Sequence, residues 1–132
     1  MSYSIDWKTG YCHIHFANIL DHVVLRNVDR ELIDDSRWKA LEYLVWNYTN
    51  VTNYDFNRNE ITLRGVNESS EMNPSLKVVH ILTDPKEHAV TEAYFDRIKA
   101  HCPGWQQVIV DSEEAAYTWM NQNLQSGRKF PN

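Results

Sequence analysis

Two short runs of alternating apolar and polar positions open the chain, Ser4 to Trp7 and Tyr11 to Phe16. Lys8-Thr9-Gly10 between them is a tight-turn signal, so the pair predicts an antiparallel hairpin. The period then changes from two to about 3.6 residues. Val24, Leu25, Val28 and Leu32 recur at helical spacing behind Asp21, whose carboxylate can cap the first turn, while Arg26, Asp29, Arg30 and Asp34 are assigned to the wet side. From Leu41 to Tyr48 the run is nearly unbroken apolar and aromatic. A strand reads this way when both of its faces are covered, which places the segment at the centre of a sheet.

Asn57 with Glu60 three residues later resembles a capping box and predicts a second helix over Ile61, Leu63 and Val66, interrupted by Gly65. Leu76 to Leu82 is another buried-type strand. Thr83-Asp84-Pro85 then starts a helix, with Asp84 as cap, Pro85 at the first position, Glu87 at the third, and Val90, Tyr94 and Ile98 as its buried stripe. Pro103-Gly104 ends it, and Trp105 to Val110 is the last strand. Asp111 with Glu114 is expected to cap a final helix that buries Ala116, Trp119, Met120 and Leu124. The alternation predicts an α/β domain: a mixed five-stranded sheet, its N-terminal hairpin antiparallel and its remaining strands parallel, flanked by about four helices. With 132 residues, one domain over positions 1–125 is expected, followed by a flexible tail at 126–132.

Charge narrows the function classes. Thirteen Lys and Arg against 18 Asp and Glu leave a net charge of -5, with no basic cluster able to track a phosphate backbone, so nucleic-acid binding is not expected. Arg128-Lys129-Phe130 is too short for such a footprint and reads as frayed. Cys12 and Cys102 lie far apart without metal spacing and read as buried, reduced thiols of a cytoplasmic protein. No apolar run has signal-peptide or membrane-spanning length, so no stable membrane insertion is expected. The Asn-x-Ser/Thr triplets at Asn47, Asn50 and Asn67 read as accidents of an Asn-rich chain.

Candidate chemistry is sparse. Neither a Gly-x-Ser-x-Gly elbow nor a phosphate-cradling loop is present, the 4 glycines being scattered, and no catalytic residue or cofactor is assigned. His13 and His15, two apart on a strand, point to one face and could supply two metal ligands, but nothing nearby in sequence supplies a third, so no metal site is assigned. His80, between Val79 and Ile81, reads as a hydrogen-bonded core residue, and His22, His88 and His101 as wet helical positions. Among 5 Trp and 7 Tyr, Trp7, Tyr48, Tyr54 and Tyr117 need partners for their polar tips and are candidates for an interface or pocket rim.

The order β-β-α-β-α-β-α-β-α, with VWNYTNVTNYDFN, NPSLKVVHILTD and GWQQVIVDSEEAAYTWM in these places, resembles the SpoIIAA-like family of STAS-related bacterial proteins over essentially the whole chain. Val51 and Asp55 after the central strand, Asn73-Pro74, Gly104-Trp105, Ala116 and Trp119-Met120 carry the resemblance. Anti-sigma-factor antagonists of this kind have Asp-Ser or Ser-Ser-Gly after the central strand, where a kinase phosphorylates Ser. This chain has Asp55-Phe56-Asn57-Arg58, and from Thr52 to Asn57 only Thr52 and Tyr54 carry hydroxyls.

The resemblance thus implies a non-catalytic regulatory or protein-interaction module of STAS-like type without the phosphorylatable Ser. The alternative is a carrier of a small apolar ligand or lipid, because the arrangement also resembles CRAL-TRIO lipid-binding domains. A third reading, a metal-dependent enzyme, rests on His13 and His15 alone. Ligands and partners of such sheets gather at the strands' carboxyl ends, here built from Thr52 to Asn57, Thr83-Asp84-Pro85 and Asp111-Ser112. Tyr54, Asp55, Phe56 and Asn57 are the expected contact surface, with Thr83 and Asp84 beside them. A homodimer that pairs the hairpin's edge or an adjacent helix face is also expected.

Overall fold

In a computed structural model of the chain, residues 2–55, 73–122 and Phe130 are described, with the backbone alone at positions 90, 93, 94, 97, 98 and 101. Strands β1 (Tyr3–Lys8) and β2 (Tyr11–Asp21) form the expected hairpin, with Ile5 opposite Ile14 and Asp6 opposite His13. Its turn needs Gly10, whose φ of 83° lies in the left-handed region. Helix α1 (His22–Asp34) starts as predicted, the Asp21 carboxylate accepting from Val24 N at 2.9 Å. Leu25, Val28 and Leu32 are buried. Asp29 differs from expectation: it is half-buried rather than on the wet side, and burial pushes its carboxyl up to about 7.

A 3₁₀ turn at Trp38–Ala40 precedes β3 (Tyr43–Asp55), followed by β4 (Lys77–Ile81), α2 (Pro85–His101), β5 (Gln106–Val110) and α3 (Glu113–Asn121). The sheet order is β1-β2-β3-β4-β5, so β3 is central as its apolar run predicts. The β1–β2 pair is antiparallel and the other pairs are parallel. Three helices, not four, occur among the described residues. The helix expected from Asn57 lies outside them, as do Leu124 and the side chains of Val90, Tyr94 and Ile98. Asp84 accepts from Lys86 N at 2.9 Å where α2 begins. The cap of α3 is Ser112 and not Asp111, because Ser112 Oγ is the group that accepts from Ala115 N, three residues on, at 3.0 Å.

Alternation along the strands divides the core in two. One face carries Cys12, Ile14, Phe16, Leu44 and Val78, packed with Leu25, Val28 and Leu32 of α1 and with Trp38. The second carries Tyr11, Tyr43, Val45, Val79 and Ile81, covered by Ala116 and Met120 of α3 and by Phe130. The Asn121 side chain grips the Phe130 backbone, accepting from its N at 2.6 Å and donating to its O at 2.9 Å. Positions 126–129 and 131–132 of the expected tail lie outside the described residues. No helix among the described residues is long and apolar enough to cross a membrane.

β3 runs well past the expected end at Tyr48. Asn47 pairs with Ile81, the last residue of β4, and beyond it β2 and β3 continue together until Asp21 meets Asp55. Past the end of β4 the ribbon keeps one side on the first core through Leu20, Val51 and Tyr54 and exposes Thr49, Asn50, Thr52 and Asn53, which is why its sequence reads as a polar loop. β3 holds one extra residue between Asn47 and Asn50 and another between Val51 and Asn53. Asn18 of β2 takes the left-handed conformation at φ 66°, which Asn tolerates better than most residues. At the first bulge, Asn47 Oδ1 accepts from Thr49 N at 3.0 Å and from Thr49 Oγ1 at 2.6 Å.

Candidate functional site

On the second face, where β2 and β3 meet the start of α3, polar side chains replace the apolar core. His13 and His15 share that face by strand alternation, as expected, and their rings stack with centroids 3.9 Å apart and planes 15° from parallel. Asn47 reaches them from β3, and Glu113, the first residue of α3, from above. The Asn47 amide is oriented by its bonds to Thr49, so its nitrogen faces inward and donates to His13 Nε2 at 3.2 Å and to Glu113 Oε1 at 3.3 Å. His13 Nε2 therefore carries a lone pair, and Nδ1–H donates to the Tyr117 hydroxyl at 3.3 Å. Glu113 Oε1 lies 3.6 Å from His13 Nε2, and Asp6 Oδ2 lies 3.6 Å from His15 Nε2.

Burial governs the electrostatics. It pushes the His13 imidazole down to about 4; the neighbouring His15 acts in the same direction and Asp6 opposes. The Tyr117 hydroxyl is held above its ordinary range by burial and then by its hydrogen bond with Tyr11. At neutral pH the cluster presents a neutral His13 whose Nε2 lone pair accepts from the Asn47 amide, with a half-exposed carboxylate 3.6 Å away. Such groups can hold a cation or exchange a proton.

His13, His15 and Glu113 are the group of three candidate metal ligands found among the described residues, their ligand atoms within 4.8 Å of one another. The third ligand missing from the sequence neighbourhood comes from the far end of the chain. Asp6 was within reach of sequence reasoning, because the predicted hairpin sets it opposite His13. Glu113 carried only the signal of an acid in a helix's first turn, and Asn47 and Tyr117 carried none that points here.

Solved structures show the same architecture. The chain is similar to the Bacillus cell fate determinant SpoIIAA in its phosphorylated form, with TM-score 0.58 and 12% identity over 89% of this chain and 98% of that one. It is equally similar to the anti-sigma factor antagonist SpoIIAA in its unphosphorylated form, with TM-score 0.60 and 12% identity over 91% and 98%. The chain has the SpoIIAA-like fold. No family model and no curated protein matches it.

Within this SpoIIAA-like sheet the residues expected at the contact surface fall in two places. Tyr54 and Asp55 end the β2–β3 ribbon, with the Tyr54 ring 6.3 Å from that of Tyr48. Thr83 and Asp84 are exposed where β4 passes into α2. Counted along β2 from His15 to Asp21, the ribbon carries Tyr54 and Asp55 roughly 20 Å past the last β4 pairs. Phe56 and Asn57 lie outside the described residues. His80 is buried as predicted, bonded to the Tyr48 hydroxyl at 3.1 Å and to Gln107 Oε1 at 3.4 Å. Trp46 and Tyr48 lie with their planes within 7° of the His80 ring. Of the other aromatics expected to need partners, Trp7 lies under the Arg37 guanidinium at 4.5 Å, and Tyr117 belongs to the histidine cluster. His22 is exposed and His88 lies 3.6 Å from Glu92; the His101 side chain lies outside the described residues.

Proposed function

We propose that the chain is a non-catalytic regulatory module that acts by binding a partner protein, without phosphoserine control at the loop after the central strand. The observation that carries this reading is a likeness running through 98% of an anti-sigma factor antagonist's length, with Phe56 and Asn57 standing where a phosphoacceptor is expected. Proteins of that kind exchange partners, and a module that cannot be phosphorylated there binds constitutively or under other control. The contact surface is Tyr54 and Asp55 at the polar end of the β2–β3 ribbon together with Phe56 and Asn57, which follow them in sequence, and Thr83 and Asp84 at the end of β4 form a second, separate patch. The module works in the cytoplasm as a homodimer, whose formation covers the β1 edge. A small apolar ligand is the second reading, favoured by the half-buried rings of Trp46 and Tyr48 stacked parallel beside His80.

The deciding experiment isolates the tagged chain from its own host and analyses it by native mass spectrometry. A stoichiometric partner chain that is lost in a folded Tyr54→Ala/Phe56→Ala variant is the expected result. A bound lipid without protein favours the carrier, and undiminished capture of the same partner by the double variant overturns the assigned surface.

A further inference from the structure

We propose that His13, His15 and Glu113 form a binding site for a divalent transition cation of the zinc class, on the second face of the sheet beneath the first turn of α3. This goes beyond the regulatory reading and does not depend on it. Two imidazoles and one carboxylate suit Zn²⁺, Co²⁺ or Ni²⁺, whereas Ca²⁺ and Mg²⁺ take oxygen ligands. The separation of His13 Nε2 and Glu113 Oε1, 3.6 Å, is close to the roughly 3.4 Å between two ligands of a tetrahedral ion about 2.1 Å from each. With all three ligand atoms within 4.8 Å of one another, closing the set requires movement only of His15 and Glu113, the two members that reach solvent. His13 is buried and stays in place.

The surroundings are those of a prepared site. His13 Nδ1–H is taken by the Tyr117 hydroxyl, which turns the Nε2 lone pair inward; a hydrogen bond of this kind on the distal nitrogen is usual for a ligating imidazole. The Asp6 carboxylate beside His15 can orient that ring in the same way. Asn47 supplies the most specific observation. Its amide nitrogen donates at once to His13 Nε2 and Glu113 Oε1, so the positive end of a dipole stands where the lone pairs of two ligands converge. A cation takes over those lone pairs, and one coordination position of the tetrahedron is left for water.

The test uses the full chain stripped with a chelator, titrated with Zn²⁺ by calorimetry and with Co²⁺ by visible absorption. One ion per chain is expected, with ligand-field bands of a nitrogen- and oxygen-coordinated Co²⁺. Both His15→Ala and Glu113→Gln should weaken binding at least roughly tenfold, with unchanged circular dichroism because both side chains are at the surface. If His15→Ala fails to fold, Glu113→Gln alone decides. No saturable one-to-one binding by the wild type, or equal affinity in the variants through other histidines such as His22 or His88, would overturn the site and leave the cluster a hydrogen-bonded polar edge.

Discussion

Trp105 Nε1 donates to the backbone oxygen of Asn73 at 2.7 Å. The Asn73 side chain in turn donates from Nδ2 to Trp38 O at 2.9 Å and to Leu41 O at 2.8 Å, tying the start of β3 to the segment that leads into β4. Asn73 is buried, so its removal leaves carbonyls that water cannot reach. Asn73→Ala should cost about 2 kcal/mol and lower Tm by roughly 5 to 10 °C. Thermal unfolding by circular dichroism checks this, and a loss of under a degree would contradict it.

Gly104 lies against the same seam. A Cβ built there is driven into the Pro74 carbonyl oxygen, which is backbone and cannot swing aside. Gly104→Ala is therefore expected to destabilise by about 2 kcal/mol through overpacking, whereas the same change at an exposed loop glycine is mild. Denaturant midpoints with an unchanged slope measure the difference.

The buried His13 makes stability depend on pH in a known direction. Its folded value is near 4 against 6.5 for the free imidazole, so between these limits the unfolded chain binds the extra proton. Stability from this group is complete above about pH 6.5 and is lost as pH falls toward 4, by roughly 3 kcal/mol at 1.4 kcal/mol per unit. In chelator-treated protein, an imidazole NMR titration should show the His13 ring still neutral at pH 5. A His13 midpoint near 6.5 contradicts this expectation.

Cys12 is fully buried in the first core, and burial pushes its thiol up to about 12. Since the thiolate is the reactive form, Cys12 should resist an aromatic disulfide reagent at pH 8 in the folded protein. Cys102, also buried, should behave alike. Both should react at once in guanidinium, and rapid labelling of the native chain would contradict the prediction.

How far the sequence was legible depended on whether the information was local. The hairpin turn at Gly10, the Asp21 and Asp84 caps and the buried run of β3 each involve neighbours within a few residues, and each was predicted. The landmarks Asn73-Pro74 and Gly104-Trp105 were singled out separately, but only the fold reveals that they touch. The extension of β3 to Asp55 was hidden because only Val51 and Tyr54 of that stretch pack on the core, and the two bulges break the two-residue alternation that would reveal a strand. Ser112 displaced Asp111 as the cap because β5 ends one residue before Asp111, a boundary that propensity does not resolve. The histidine pair was visible, yet its assembly with Asn47, Glu113 and Tyr117 depends on the register of three elements at once.

Each strand of this sheet lies beside the one synthesised just before it. During translation the sheet can grow outward strand by strand, and its first face is roofed early because α1 is made between β2 and β3. Among the described residues, the second face is covered late. Tyr11, Tyr43, Val45, Val79 and Ile81 wait for Ala116, Met120 and Phe130, all of which leave the ribosome last. A nascent or truncated chain that stops before Ser112 therefore lacks the Ala116, Met120 and Phe130 side chains that cover these five residues in the finished molecule, and greasy surface left bare at that stage invites association with other chains.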